Sequence, residues 1–292
     1  MKSLIVGMGI GKLYQSVLTQ LGHEVITVDS DISKMANFPS VDPAIIAHAP
    51  FDLVFICTPN FTHQDLAYKL APFSKIVFVE KPGVVNSKEW TKLVHSFKTT
   101  RFMMVKNNMW RNNINDLKDC ATKSKYVNIA WIRKNCIPSP GSWFTTKELA
   151  FGGVSRDLMP HLLSLYIALN PNWKNDQLME STAIQQWQLG EIESTEYGTV
   201  YPNGVYNVDD SCVFDFADKW NLSANWRSMS VDHSDITFID HDGNKEVFDL
   251  GWCPEEAYLN MISDAIENLN NNEFWINQLE QDEWIHKKIE KL

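Results

Sequence analysis

Through about the first hundred residues, short apolar runs alternate with amphipathic stretches: Leu4-Ile5-Val6, Val25-Ile26-Thr27-Val28, residues 53–57, Ile76-Val77-Phe78-Val79 and residues 102–105. A run of that length without polar alternation suits a strand buried on both faces, and a series of them separated by helices suits a parallel sheet covered on both sides. Helical periodicity between the runs is clearest over residues 10–21 and 63–70. Residues 87–97 open with Ser87 and put Glu89 in the first turn, where the positive helix end favours an acid. The pattern predicts a doubly wound parallel α/β sheet of the nucleotide-binding type.

Beyond about residue 107 the texture changes. Polar and apolar residues alternate over 126–134, 206–216 and 222–229, which suits an antiparallel sheet. His241-Asp242-Gly243-Asn244 lies between two strand-like runs, and its Asp-Gly signals a tight hairpin. Helical stretches over 254–269 and 278–291 finish the chain. With 292 residues, 44% of them hydrophobic, there is enough chain for two cored domains, placed at 1–107 and 108–292. The second is expected to be α+β, built on a large, mostly antiparallel open sheet. No repeat, low-complexity tract or Gly/Ser linker interrupts them.

Charge and cysteine usage narrow the function classes. A formal net charge of −10 repels nucleic acid and anionic membrane surfaces, so neither is expected as a partner and a small polar ligand is. Cys57, Cys120, Cys136, Cys212 and Cys253 are scattered and show no C-x-x-C spacing, so no zinc site, other metal site or disulfide framework is expected. Met1-Lys2-Ser3 runs straight into the first apolar strand, without the pattern of a secretion signal, and no apolar run approaches the roughly eighteen residues of a membrane span. A cytoplasmic protein with reduced thiols is the expectation.

Gly7-Met8-Gly9-Ile10-Gly11 sits directly between the first strand and the first helix, where glycines permit a tight turn and let backbone amides approach a pyrophosphate at the helix start. In the dinucleotide fingerprint G-x-G-x-x-G the third glycine would fall on Lys12; Gly11 arrives one residue early. Either the loop is a residue short and Lys12 offers its charge to a phosphate, or the phosphates sit differently. Asp29 closes the second strand, where its carboxylate can accept both ribose hydroxyls, and Asp29 with Asp31 would repel a 2′-phosphate there. The cofactor expected is NAD, with NADP possible through Lys34.

Hydride transfer at a carbon bearing oxygen needs a matched proton transfer, which a lysine or histidine can supply. Glu80-Lys81-Pro82 closes the fourth apolar run, and Lys81 there points into the crevice where open α/β sheets bind ligands. The proline restricts the lysine backbone and admits a cis bond. Asp157 precedes His161 by one helical turn, so the two share a face and the carboxylate can hold the imidazole tautomer. Gly152-Gly153 just before them lets the chain approach a cofactor closely.

Four segments in this order resemble the glucose-fructose oxidoreductase, inositol dehydrogenase and rhizopine-catabolism (Gfo/Idh/MocA) family: the glycine turn, Cys57-Thr58-Pro59-Asn60 followed by His63, Glu80-Lys81-Pro82, and Gly152-Gly153 through Asp157 to His161. Ala257-Tyr258 and the helix holding residues 286–290 extend the likeness over nearly the whole chain. The resemblance implies a Rossmann domain followed by a mixed domain for substrate binding and oligomerisation, whose open sheet makes a homodimer or tetramer. It implies NAD(P) bound without a covalent link. Gly7, Gly9, Ile10, Gly11, Lys12, Asp29, Thr58, Pro59, Asn60, His63, Glu80 and Lys81 would be its contacts. Lys81 with Asp157 and His161 would be the acid–base group. Met159-Pro160 is bulkier and stiffer than the family pattern.

Asn108, Arg111 and Trp143 are candidate contacts for a sugar or cyclitol ring, since polar groups and an aromatic face suit one. The reading is an NAD(P)-dependent dehydrogenase or reductase of a sugar, cyclitol or nucleotide-sugar derivative. Reduction of a carbon–nitrogen or tetrapyrrole double bond is an alternative on the same scaffold. A non-catalytic NAD(P)-binding regulatory protein is another, against which the joint presence of Lys81, Asp157 and His161 argues. A structural partner that binds no nicotinamide nucleotide is a third.

Overall fold

The computed structural model describes residues 1–228 and 230–292; the stretch read as 222–229 ends on Met229, outside the described residues. The chain starts as β1 (Lys2–Val6), α1 (Gly11–Gln20), β2 (Glu24–Val28), α2 (Val41–His48), β3 (Phe51–Ile56), α3 (His63–Leu70), β4 (Ser74–Val79), α4 (Ser87–Ser96) and β5 (Arg101–Met104). It continues through α5 (Ile114–Lys123), β6 (Tyr126–Ile132), α6 (Lys147–Ala150), α7 (Val154–Asp157), α8 (Met159–Leu169), β7 (Leu178–Ile184), β8 (Ser211–Phe216), β9 (Trp220–Asn225), β10 (His233–Ile239) and β11 (Lys245–Asp249). Two helices close it, α9 (Glu255–Glu267) and α10 (Asn272–Ile289). Two compact units result: Met1–Val105 with Glu255–Lys287, and Lys106–Pro254 with Lys288–Leu292.

In the first unit the five apolar runs are five parallel strands in the order β2-β1-β3-β4-β5. Leu4, Ile5, Leu53, Val54, Ile56, Ile76, Val77 and Val79 are all buried, each stabilising the fold by about 1.5–3 kcal/mol relative to exposure. The strand order reverses between β1 and β3, and open α/β sheets bind ligands at the carboxyl ends of strands at such a switch point. Tyr14 of α1 lies 4.8 Å from the Phe55 ring, which stacks on Phe78 at 4.6 Å.

The division at 107/108 gave the whole remainder to one second domain; the chain instead returns to the first unit for Glu255–Lys287. The reason is apolar: Ala257, Tyr258, Met261, Ile262 and Ala265 of α9 are buried, with Tyr258 edge-on to Tyr14 at 5.5 Å. His286 of α10 stacks on Trp90 at 5.5 Å.

The second unit holds a six-stranded sheet, β11-β10-β6-β9-β8-β7, antiparallel except for the parallel pair β6–β9. Alternation decides its faces. Cys212, Phe214, Phe216, Trp220, Leu222 and Ala224 are buried, whereas Ser211, Val213, Asp215, Asn221, Ser223 and Asn225 on the other face are partly exposed. The apolar helix α8 lies against β6 and β9. The expected hairpin forms between β10 and β11, with Gly243 at φ +86° and the Asp240 amide donating to Asn244 O at 3.1 Å. The strand expected over 206–216 begins only at Ser211. Before it, Asp210 is buried and its side chain accepts from the Gln186 and Trp187 amides and the Tyr206 hydroxyl, in addition to its backbone bonds to Ile184 and Trp226.

Candidate functional site

The glycine turn is built by steric necessity at two of its glycines. Gly7 has φ +93°, and a β-carbon there would come within 2.6 Å of the Cys57 carbonyl oxygen, so β1 and β3 close together only over a bare backbone. Gly11 opens α1, and a β-carbon there would lie 2.9 Å from a methyl of Ile5. That is the helix-on-strand packing served by the fingerprint's third glycine, achieved one residue early. Gly9 faces open space, with nothing within 4 Å of where its β-carbon would be.

No side chain caps α1 and no acidic residue lies in its first turn, so its amide end remains positive. Ile10 and Lys12 are exposed there. Asp29 joins this turn: one carboxylate oxygen accepts from the Met8 amide at 2.7 Å and the other from the Asp31 amide at 2.8 Å. A bare, uncapped helix start beside a half-buried carboxylate fits the pyrophosphate and ribose of a dinucleotide.

The loops after β3 and β4 are tied by His63. One ring nitrogen lies 2.8 Å from Thr58 O and the other 3.0 Å from Pro82 O. The ring has 0% exposure, and burial lowers its pKa below the ordinary histidine value despite those carbonyls. His63 therefore positions Thr58, Pro59 and Asn60 on one side and Lys81-Pro82 on the other. The Lys81–Pro82 bond is cis.

Glu80 accepts from the Tyr14 hydroxyl at 2.6 Å and from the Lys81 amide at 3.2 Å, fixing the chain at the lysine. Burial first, then the Glu80 charge, hold the Tyr14 pKa well above the ordinary tyrosine value, so the hydroxyl stays a donor. On the far side of the loop, the Val84 amide donates to His286 Nε2 at 3.3 Å, while His286 Nδ1 lies 2.7 Å from the Asp282 carbonyl. Since an N–H fills Nε2, the ring proton resides on Nδ1 and both bonds are satisfied.

The second unit carries Asp157 and His161. Gly153 admits no side chain, because a β-carbon would meet Asp209 O at 1.7 Å. The Asp209 carboxylate accepts from the Gly153 amide at 2.9 Å, the Ser155 amide at 2.7 Å and the Ser155 hydroxyl at 2.9 Å, capping α7. Asp157 ends α7 and accepts from the indole of the buried Trp226 at 2.9 Å. Pro160 lacks an amide, so α8 starts afresh at Met159. Asp157 and His161 thus stand on consecutive helices, with Leu158 between them at φ −88°, ψ −36°.

His161 Nδ1 is 3.3 Å from Asn108 Nδ2, and its ring lies 5.5 Å from that of Trp131. Asn108 accepts from Arg111 Nε at 2.9 Å, and Arg111 Nη1 donates to Leu250 O at 2.8 Å. Trp143 stacks on Phe144 at 3.9 Å in a short 3-10 turn. Among the described residues no cluster of histidine, cysteine or carboxylate side chains forms a metal cage.

Sequence reasoning misses Tyr14, Asp209 and Trp226, and takes His286 only as part of the last helix, with no role at the site. Each bonds a site segment more than fifty residues away, so no local pattern announces it.

Residues 2–107 match the GFO_IDH_MocA family model, an oxidoreductase family with an NAD-binding Rossmann fold. A protein of Amycolatopsis mediterranei strain S699, named as an oxidoreductase subunit of UDP-kanosamine synthase, is 31% identical over 219 residues, covering 68% of this chain and 57% of its own. The chain thus spans less than two thirds of that relative. GenD2 from gentamicin A biosynthesis, solved with NAD, superposes with a TM-score of 0.78 at 16% identity, over 99% of this chain and 92% of that one. Levoglucosan dehydrogenase, solved with NADH and levoglucosan, gives 0.69 at 14% identity, over 92% and 90%. At such identities the likeness is one of fold.

Proposed function

We propose, from the premise that residues 2–107 belong to the GFO_IDH_MocA oxidoreductase family, that the protein is an NAD-dependent oxidoreductase of a sugar, cyclitol or nucleotide-sugar derivative. The observation that carries this reading is the uncapped start of α1, bare at Gly9 and flanked by the Asp29 carboxylate. Backbone amides there hold the pyrophosphate, and the carboxylate accepts from the adenosine ribose. A 2′-phosphate would be repelled by Asp29, which favours NAD over NADP. Thr58, Pro59 and Asn60 line the cofactor on the loop that His63 anchors.

When bound, NAD supplies the hydride acceptor and NADH the donor. The protein's task is the proton on the reacting oxygen, handled by Lys81 and by His161 supported by Asp157: Lys81 takes it in oxidation and returns it in reduction, and His161 hydrogen-bonds the same oxygen. The carbohydrate names of the matched proteins support a sugar-like substrate, and Trp143 offers an aromatic face to its ring. The partly exposed face of the second sheet, carrying Asn221, Ser223 and Asn225, is the surface through which copies of the chain assemble as a dimer or tetramer.

Fluorescence titration with NADH and NADPH, followed by a turnover screen over oxidised and reduced sugars with the natural protein and Lys81→Ala, tests the reading. Tight NADH binding and Lys81-dependent turnover are expected. Binding without Lys81-dependent turnover would point to a sensor, and no nucleotide binding would overturn the reading altogether.

A further inference from the structure

We infer that Asn108 and Arg111 are positioning residues that lock His161 in the tautomer carrying its proton on Nε2, an inference that rests on the role given to His161 above. A guanidinium only donates, and it stays charged. Arg111 Nε donates to Asn108 Oδ1 at 2.9 Å, so the carbonyl end of that amide is turned towards Arg111. Arg111 Nη1 is itself held by Leu250 O at 2.8 Å, which fixes the guanidinium. Reversing the amide would set its NH2 against Arg111 Nε–H, donor against donor.

The amide end therefore faces His161, and an NH2 group can only donate there. His161 Nδ1, 3.3 Å away, must accept. A neutral imidazole carries one ring proton, and it is left on Nε2. Both partners are buried, Asn108 at 0% and Arg111 at 6% exposure, so bulk water does not compete for the bond. The Trp131 ring, 5.5 Å from His161, and the Ser164 hydroxyl bonded to His161 O at 2.7 Å hold the histidine in this setting. His161 thus presents Nε2–H as a hydrogen-bond donor that polarises the reacting oxygen, while the transferred proton itself passes through Lys81.

This chemistry gives Asn108 and Arg111 a task other than direct contact with a sugar. It is read without turnover, by long-range proton–nitrogen correlation NMR of the full-length protein labelled with 15N-histidine, the His161 signals being assigned by their loss in His161→Gln. Natural protein is expected to show a protonated Nε2 and a bare Nδ1. In Asn108→Asp, which still satisfies Arg111 but offers His161 only acceptors, Nδ1 becomes protonated. Turnover falls about 10- to 100-fold in that variant, while NADH affinity stays unchanged.

A proton on Nδ1 in the natural protein would overturn the inference whether or not any variant folds, as would an unaltered tautomer in Asn108→Asp. Full turnover by His161→Gln would instead sink the role of His161 at the reacting oxygen, and the tautomer measurement would still decide whether Asn108 and Arg111 set its proton.

Discussion

Asp29 spends both carboxylate oxygens on backbone amides, those of Met8 and Asp31, and still keeps lone pairs for a ligand. Asp29→Ala should therefore weaken NADH binding by about tenfold, the worth of one or two charge-assisted hydrogen bonds, and narrow the gap to NADPH. Parallel titrations check this, and an unchanged NADH affinity would contradict it. Gly153 poses a steric question: a β-carbon 1.7 Å from Asp209 O cannot be accommodated without moving α7. Gly153→Ala should cost at least about 2 kcal/mol in chemical denaturation. Gly7, Gly11 and Gly153 were legible because a β-carbon at each would clash, and Gly11 keeps its packing role although its spacing is irregular. The partners of those residues were not legible. Asp209 and Trp226 act on α7 from more than fifty residues away, and nothing near them in sequence marks a cap or an indole donor.

Among the elements, the loops after β3 and β4 depend on His63, whose burial outweighs the two carbonyls that would favour a second ring proton. Its folded-state pKa lies below the unfolded value of 6.5, so the unfolded chain binds more protons across that window. The stability contributed is present above pH 6.5 and is lost as pH falls through the folded value. Unfolding midpoints measured between about pH 8 and pH 5, the range in which histidine titrates, should fall on the acid side, and His63→Gln should flatten that fall. Equal slopes in both proteins would contradict the account. Strands β1 to β5 were legible as apolar runs because they are buried on both faces. The edge strand β7 was not, since no residue of Leu178–Ile184 is buried and the strand shows no alternation. Nor was α2, whose apolar residues mark no single face: Val41 and Ala44 are buried while Ile46 is exposed.

At the scale of the molecule, the chain finishes its first unit with its last helices. Tyr258 packs on Tyr14, His286 accepts from Val84 and Asp282 accepts from the Met104 amide at 3.0 Å. Removing residues 255–292 should lower the thermal midpoint of unit one and abolish NADH binding, each lost buried hydrogen bond costing about 1–3 kcal/mol. An unchanged midpoint would contradict this. Sequence periodicity located both helices but not their destination, because an amphipathic face does not say which core it joins. The central claim is that Lys81 handles the proton that accompanies hydride transfer. Single-turnover hydride transfer from bound NADH to an accepted sugar, compared between the natural protein and Lys81→Met, tests it most directly. With NADH saturating, the rate in the variant is expected to be about 100- to 10,000-fold slower; an equal rate would contradict the role given to Lys81.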